Sequence, residues 1–170
     1  MNTSQMMITL GAMVLLALVI LRVNNGFMNT NSTLINSKLG VVATSLASSF
    51  IEEASGKIFD QKTDSHSASD VSELTASSHL GPESGEVYPY FNDFDDFNKL
   101  HRVDNSSPAG QFVVDCMVNY VKDTNLDGST NAKTWHKKIT VFVSSPSMYG
   151  LDGIPDTIKM SAVNSYWFSR

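Results

Sequence analysis

The chain has a single cysteine, Cys116, among 170 residues. That excludes an intrachain disulfide and a zinc site built from cysteines. Charge is scarce as well, with Asp, Glu, Lys and Arg making up 17% of the residues. There is no glycine-rich phosphate loop, no HExxH pair and no recognisable nucleophile motif. The histidines, His66, His79, His101 and His136, share no catalytic spacing. His66 and His79 lie in polar sequence, and His136 is expected to face solvent beside lysines. Cys116 alternates onto the apolar face of a predicted strand, which implies a buried, inert thiol. These absences point away from an enzyme.

The shortage of basic residues excludes a further class. The first 60 residues carry three basic and three acidic side chains. The remaining 110 carry nine basic and fourteen acidic ones, so the whole net charge of -5 sits there. Nucleic-acid binding through phosphates needs clustered Lys and Arg, so no nucleic-acid partner is expected.

What the sequence does have is a long apolar opening, "MNTSQMMITLGAMVLLALVILRVNN". From Met6 to Leu21 it shows no polar face, whereas a helix at the edge of a soluble core keeps one. No Lys or Arg precedes the run and no small-x-small site follows it, so it does not read as a cleaved secretory signal. The run is about 16 residues, or ~24 Å of helix, and the uncharged residues before it bring it close to a membrane span. Arg22 is the only flanking charged side chain, and it leaves orientation unspecified.

The pattern then becomes amphipathic. Ile35, Leu39, Val42, Leu46, Phe50, Ala54 and Ile58 step by three or four residues, an apolar stripe on one helix face. Asn24, Asn25 and Gly26 lower helix propensity between the halves. They leave open a continuous helix to about Phe59, a bend, or two helices. Residues 61–107 are acidic and Ser-rich and read as a long variable loop region, with a short helical turn at "DVSEL". In "YFNDFDDFNKL", Phe91, Phe94 and Phe97 are three apart and are expected to anchor that loop as one helical turn.

Further along, the period switches to two. Phe112, Val114, Cys116, Val118 and Tyr120 share one face, and so do Trp135, Lys137, Ile139, Val141 and Val143. Ile158, Met160 and Ala162 share a third. Three strands follow, joined by connections of about ten residues and therefore paired antiparallel. Such a sheet must be covered on one face, and the amphipathic helix is the natural cover. The predicted fold is thus α+β, a long N-terminal helix packed on a C-terminal antiparallel sheet. It divides as 1–25 apolar helix, 26–60 amphipathic helix, 61–107 loop region and 108–170 sheet region.

One local pattern suggests a metal. In "DTNLDGSTNAKT", Asp123, Asn125 and Asp127 alternate, with Gly128 next, like the first half of an EF-hand calcium loop. Thr134 stands where the bidentate glutamate is expected, and strands flank the loop. The competing reading is a polar hairpin turned by Asp-Gly, without a tightly bound ion. Asp93, Asp95 and Asp96 form a second group of carboxylates.

A helix apolar then amphipathic, an acidic loop and a closing antiparallel sheet together resemble the type IV pilin and pseudopilin family. "YFNDFDDFNKL" is similar to the "DDFDDF"-like stretch of minor pilins and pseudopilins, and "KKITVFVSSPS…DTIKMSAVNSYW" looks like their last strands. The resemblance implies that the N-terminal helix anchors the subunit in the inner membrane and then packs in the centre of a filament, with the sheet outward. It implies copies of the chain and the pilus assembly machinery as partners, and no cofactor. Gln5 stands where the family has a glutamate paired with a neighbour's amine, and Met1 where phenylalanine is usual. The family's leader, ending in glycine, is not seen; either residue 1 is the mature terminus or the leader is lacking. Gln5, Leu10, Val14, Leu15, Leu18 and Leu21 are the expected assembly residues. The expected function is a structural subunit of an extracellular filament. The alternatives are a minor pilin or pseudopilin component of a secretion or pilus machine, and a membrane-anchored binding domain.

Overall fold

The computed structural model describes residues 2–150 and 154–168. Met1, the expected start of the helix, lies outside the described residues, as do 151–153 and 169–170 of the predicted sheet region. Helix α1 spans Thr3–Ser55 and passes through Asn24, Asn25 and Gly26 without interruption. The chain forms two compact units, one up to Lys38 and one from Leu39 onward.

In the second unit, α1 presents Leu39, Ala43, Ala47, Phe50 and Ala54 to the core. Their spacing of three or four residues places them on one face, the stripe expected from the sequence. The helix ends earlier than expected. Gly56 donates its N–H to the carbonyls of Glu52 and Glu53, and Lys57 donates to Ala54. The chain then turns, so that Ile58 bridges Asp93 and Phe59 enters the interior.

Among the described residues the sheet has five strands rather than three: β1 (His101–Asp104), β2 (Phe112–Lys122), β3 (Asn125–Thr130), β4 (His136–Tyr149) and β5 (Pro155–Ser165). The order is β1-β2-β4-β5, and β3 pairs with β2. All pairings are antiparallel, with Cys116 opposite Val141 and Val141 opposite Met160. β1 and β3 share the edge of β2 that β4 leaves free. Neither strand announces itself in the sequence, because each has a single large apolar residue, Val103 or Leu126, and shows no alternation.

Phe112, Val114, Cys116 and Val118 of β2 face the helix stripe together with Ile139, Val141 and Val143 of β4. Phe91, Phe94 and Phe97 are buried in the same cluster, and Asp95–Phe97 forms the expected helical turn. Phe91 and Phe97 meet edge to face at 5.2 Å. A second cluster gathers Phe59, Ala68, Leu74, Leu80, Tyr120 and Tyr166. It gives the region after the helix an interior of its own, where sequence composition indicated only a polar loop.

Ala43, Ala47 and Ala54 are fully buried. Their small size sets how closely α1 approaches the sheet, so an added side chain must displace packed neighbours. Ala47→Leu is expected to lower unfolding free energy by about 1–3 kcal/mol. Val41→Leu, at a position 70% exposed, should stay within about 0.5 kcal/mol of the parent. Denaturant titration of the detergent-solubilised chain, read by fluorescence of Trp135 and Trp167, measures both. Equal midpoints for the two variants would refute close packing at Ala47.

Candidate functional site

The first unit is part of one helix. Residues 2–35 are all exposed, including the expected assembly residues Gln5, Leu10, Val14, Leu15, Leu18 and Leu21. They project around the helix. Arg22 is the sole charged side chain between residue 2 and Ser37. Four hydroxyls of this stretch turn back on the backbone. Thr9 donates to the carbonyls of Gln5 and Met6, Thr30 to Gly26, Ser32 to Met28 and Thr33 to Asn29. Such bonds satisfy a polar side chain without help from the surroundings. The helix is long and apolar enough to cross a membrane. An apolar surface this extensive marks an interaction with lipid or protein.

The second unit contains a buried charge cluster. Lys137 alternates inward on β4 and is fully buried. Its Nζ donates to the carbonyl of Phe59 and to Asp60 Oδ2, both at 2.8 Å, and to Asp95 Oδ1. It sits 4.6 Å from the centre of the Phe59 ring and 5.5 Å from that of Tyr120. Asp60 also accepts from the N–H of Lys62 and from the N–H and hydroxyl of Thr75. Burial favours the protonated form and raises its pKa, but the Lys137 charge and these hydrogen bonds outweigh burial and hold the carboxyl below its ordinary value. Asp93 and Asp96 cap one another's backbone: Asp93 Oδ1 accepts from Asp95 and Asp96, and Asp96 Oδ2 accepts from Asn92 and Asp93. Burial, then the charges of Asp95 and Asp96, pushes Asp93 up to about 8. The cluster is sealed and organises the chain around it.

The remaining candidates lie apart from it. Cys116 is buried, and burial pushes its thiol up to about 12, so it stays protonated near neutrality. His66 and His79 are exposed, as expected. His136 differs from expectation: it is half-buried, with Nδ1 2.7 Å from Ser165 Oγ, because β5 pairs beside it. His101 faces Asp115 across β1 and β2 at 2.7 Å. Asp123 lies in the turn before β3, and Asn125 and Asp127 lie on the strand itself. Asn125 Oδ1 accepts the Gly128 N–H, and Lys138 Nζ donates to the Asp127 and Gly128 carbonyls. An ammonium therefore already sits against the backbone of this hairpin. Among the described residues, the group whose acidic oxygens converge is a different one, Glu83, Glu86 and Asp96, with all three within 4.8 Å of one another. Sequence spacing could not show it, since Glu83 and Asp96 are joined only by the fold.

No protein-family model matches the chain, and neither does any curated protein or solved structure.

Removing one partner of a buried ion pair leaves the other charge without compensation. Lys137→Met keeps the stem of the side chain but strips Asp60 and Asp95 of their cation. It should destabilise the second unit by about 3–5 kcal/mol, or prevent its folding. The same tryptophan-monitored titration tests this, and a loss below about 1 kcal/mol would show that the cluster is dispensable.

Proposed function

We propose that the chain is a structural subunit of an extracellular type IV pilus-like filament, held together by its hydrophobic N-terminal helix. The observation that carries this reading is the uninterrupted exposed surface of residues 2–35 with Arg22 as its only charge. The α+β second unit, with the C-terminal part of α1 on an antiparallel sheet, fits the outward domain of such a subunit. The helix resides in the inner membrane before assembly and transfers into the filament core afterwards, exchanging one apolar surrounding for another. Its partners are copies of itself, with the assembly machinery acting on the membrane-bound form, and the role is structural rather than catalytic.

Each Leu, Ile, Val or Met side chain buried between neighbouring helices contributes on the order of 1.5–3 kcal/mol. Leu10, Val14, Leu15, Leu18 and Leu21 then hold adjacent subunits without an ion pair at Gln5, which supplies a hydrogen bond instead. A Cβ added at Gly11 would meet nothing within 4 Å in the single chain. The absence of a side chain there leaves room for a second helix to approach closely. A minor pilin or pseudopilin would use the same helix in fewer copies. A membrane-anchored binding domain is the reading from a different class, and an open groove of about 690 Å³ bordered by Lys62, Leu74, Pro82 and Lys133 would serve it.

Leu18→Arg places a charge in the helix bundle at a cost of about 2.5–3.5 kcal/mol per subunit in an apolar setting. It should abolish filaments in sheared cell-surface material while leaving the tryptophan fluorescence of the second unit unchanged. Gly11→Leu keeps the segment apolar and membrane-competent, yet should also reduce filaments by blocking close approach. Normal filaments in Leu18→Arg, or a native chain found only as a membrane monomer, would discard the subunit reading in favour of the anchored binding domain.

A further inference from the structure

We propose that Glu83, Glu86 and Asp96 form a binding site for a divalent cation of the calcium type. Each offers a carboxylate oxygen, and the three oxygens lie within 4.8 Å of one another. Asp96 is only 1% exposed, and its Oδ1 is buried with no hydrogen-bond partner. Glu83 Oε2 is likewise buried and unpartnered. Buried carboxylate oxygens are ordinarily satisfied, and a cation held among the three acids would satisfy both orphans at once. No ion pair among the described residues involves any of the three. Lys137, the buried cation nearby in the fold, is engaged by Asp60 and Asp95.

Three of the remaining oxygens are held in place by the protein. Asp96 Oδ2 accepts the N–H groups of Asn92 and Asp93, at 2.9 and 3.1 Å. Glu86 Oε1 accepts from Asn92 Nδ2 at 2.7 Å, and Oε2 accepts the Glu83 N–H at 3.0 Å. Such outer bonds orient ligands around an ion before it arrives. Calcium takes carboxylate oxygens at about 2.3–2.6 Å in flexible geometry, whereas magnesium, at about 2.0–2.1 Å, demands near-ideal octahedral geometry and holds its waters more tightly. Three carboxylates leave further coordination positions to water. A bound ion would clamp the segment carrying Glu83 and Glu86 to the turn Asp95–Phe97, which also holds Lys137.

The test is calcium titration of the full chain in detergent micelles after chelator treatment, read by calorimetry and by thermal unfolding. The parent should bind calcium with a dissociation constant of about 10⁻³ M or tighter and unfold at a higher temperature when loaded. Magnesium should bind at least about tenfold more weakly. Asp96→Asn risks the backbone caps, so the decisive variant is the double change Glu83→Gln and Glu86→Gln in the more accessible segment. It should weaken calcium binding roughly tenfold or more through lost ligand charge. Asp127→Ala should bind as the parent does. The proposal is overturned if the parent shows neither heat nor a thermal shift with calcium, or if the double variant binds as tightly as the parent. Loss of binding in Asp127→Ala alone would overturn it too, moving the site to the β2–β3 hairpin.

Discussion

A single ammonium group, that of Lys137, constrains most of what surrounds it. A buried cation must be paired, and the pairing of this one ties together three separate stretches of chain. β4 carries it, the segment just past the helix supplies the Phe59 carbonyl and Asp60, and the turn at Asp95–Phe97 supplies Asp95. Asp60 then holds Thr75, and Tyr120 donates to the Thr75 carbonyl at 2.8 Å. The stretch from residue 59 to residue 97 has little regular structure, yet these bonds fix where it runs. Such an arrangement adds little net stability over a well-packed apolar one, because desolvation offsets the attraction. Its effect is specificity: any other path for the loop leaves a charge buried alone.

Alternation of aromatic and acidic residues in "FNDFDDF" follows from the same constraint. The phenylalanines fill the space between helix and sheet, and the aspartates turn to backbone N–H groups and to Lys137. Acidic residues at this density would ordinarily be solvated. Here Asp93, Asp95 and Asp96 are all buried. Repulsion among them is relieved by one lysine, by N–H donors, and by a raised proton affinity at Asp93.

The unit up to Lys38 is organised by the opposite condition. Thr9, Thr30, Ser32 and Thr33 bond its own backbone, and its apolar side chains up to Ile35 are exposed. One helix therefore serves two purposes along its length. From Leu39 onward a stripe of small and large apolar residues is covered by a sheet. Before it, the surface is exposed and, from Met6 to Leu21, apolar all round.

Features that depend on neighbouring residues were legible in the sequence. The stripe through Leu39, Phe50 and Ala54, the uniform apolarity of Met6–Leu21, the strand alternation placing Cys116 and Lys137 inward, and the anchoring phenylalanines all follow from local periodicity. Other features needed the fold. β1 and β3 exist because β2 offers a free edge, and nothing in "HRVD" or "NLDGST" demands a strand. The helix stops at Ser55 because Phe59 and Asp60 are wanted elsewhere, although the apolar spacing continues to Ile58. Lys137 and Asp60 are 77 residues apart, and no spacing rule reaches across that distance. The convergence of Glu83 and Glu86 on Asp96 is equally a product of chain path. Local periodicity decides which face of an element turns inward; which charges then meet is decided only when those faces are brought together.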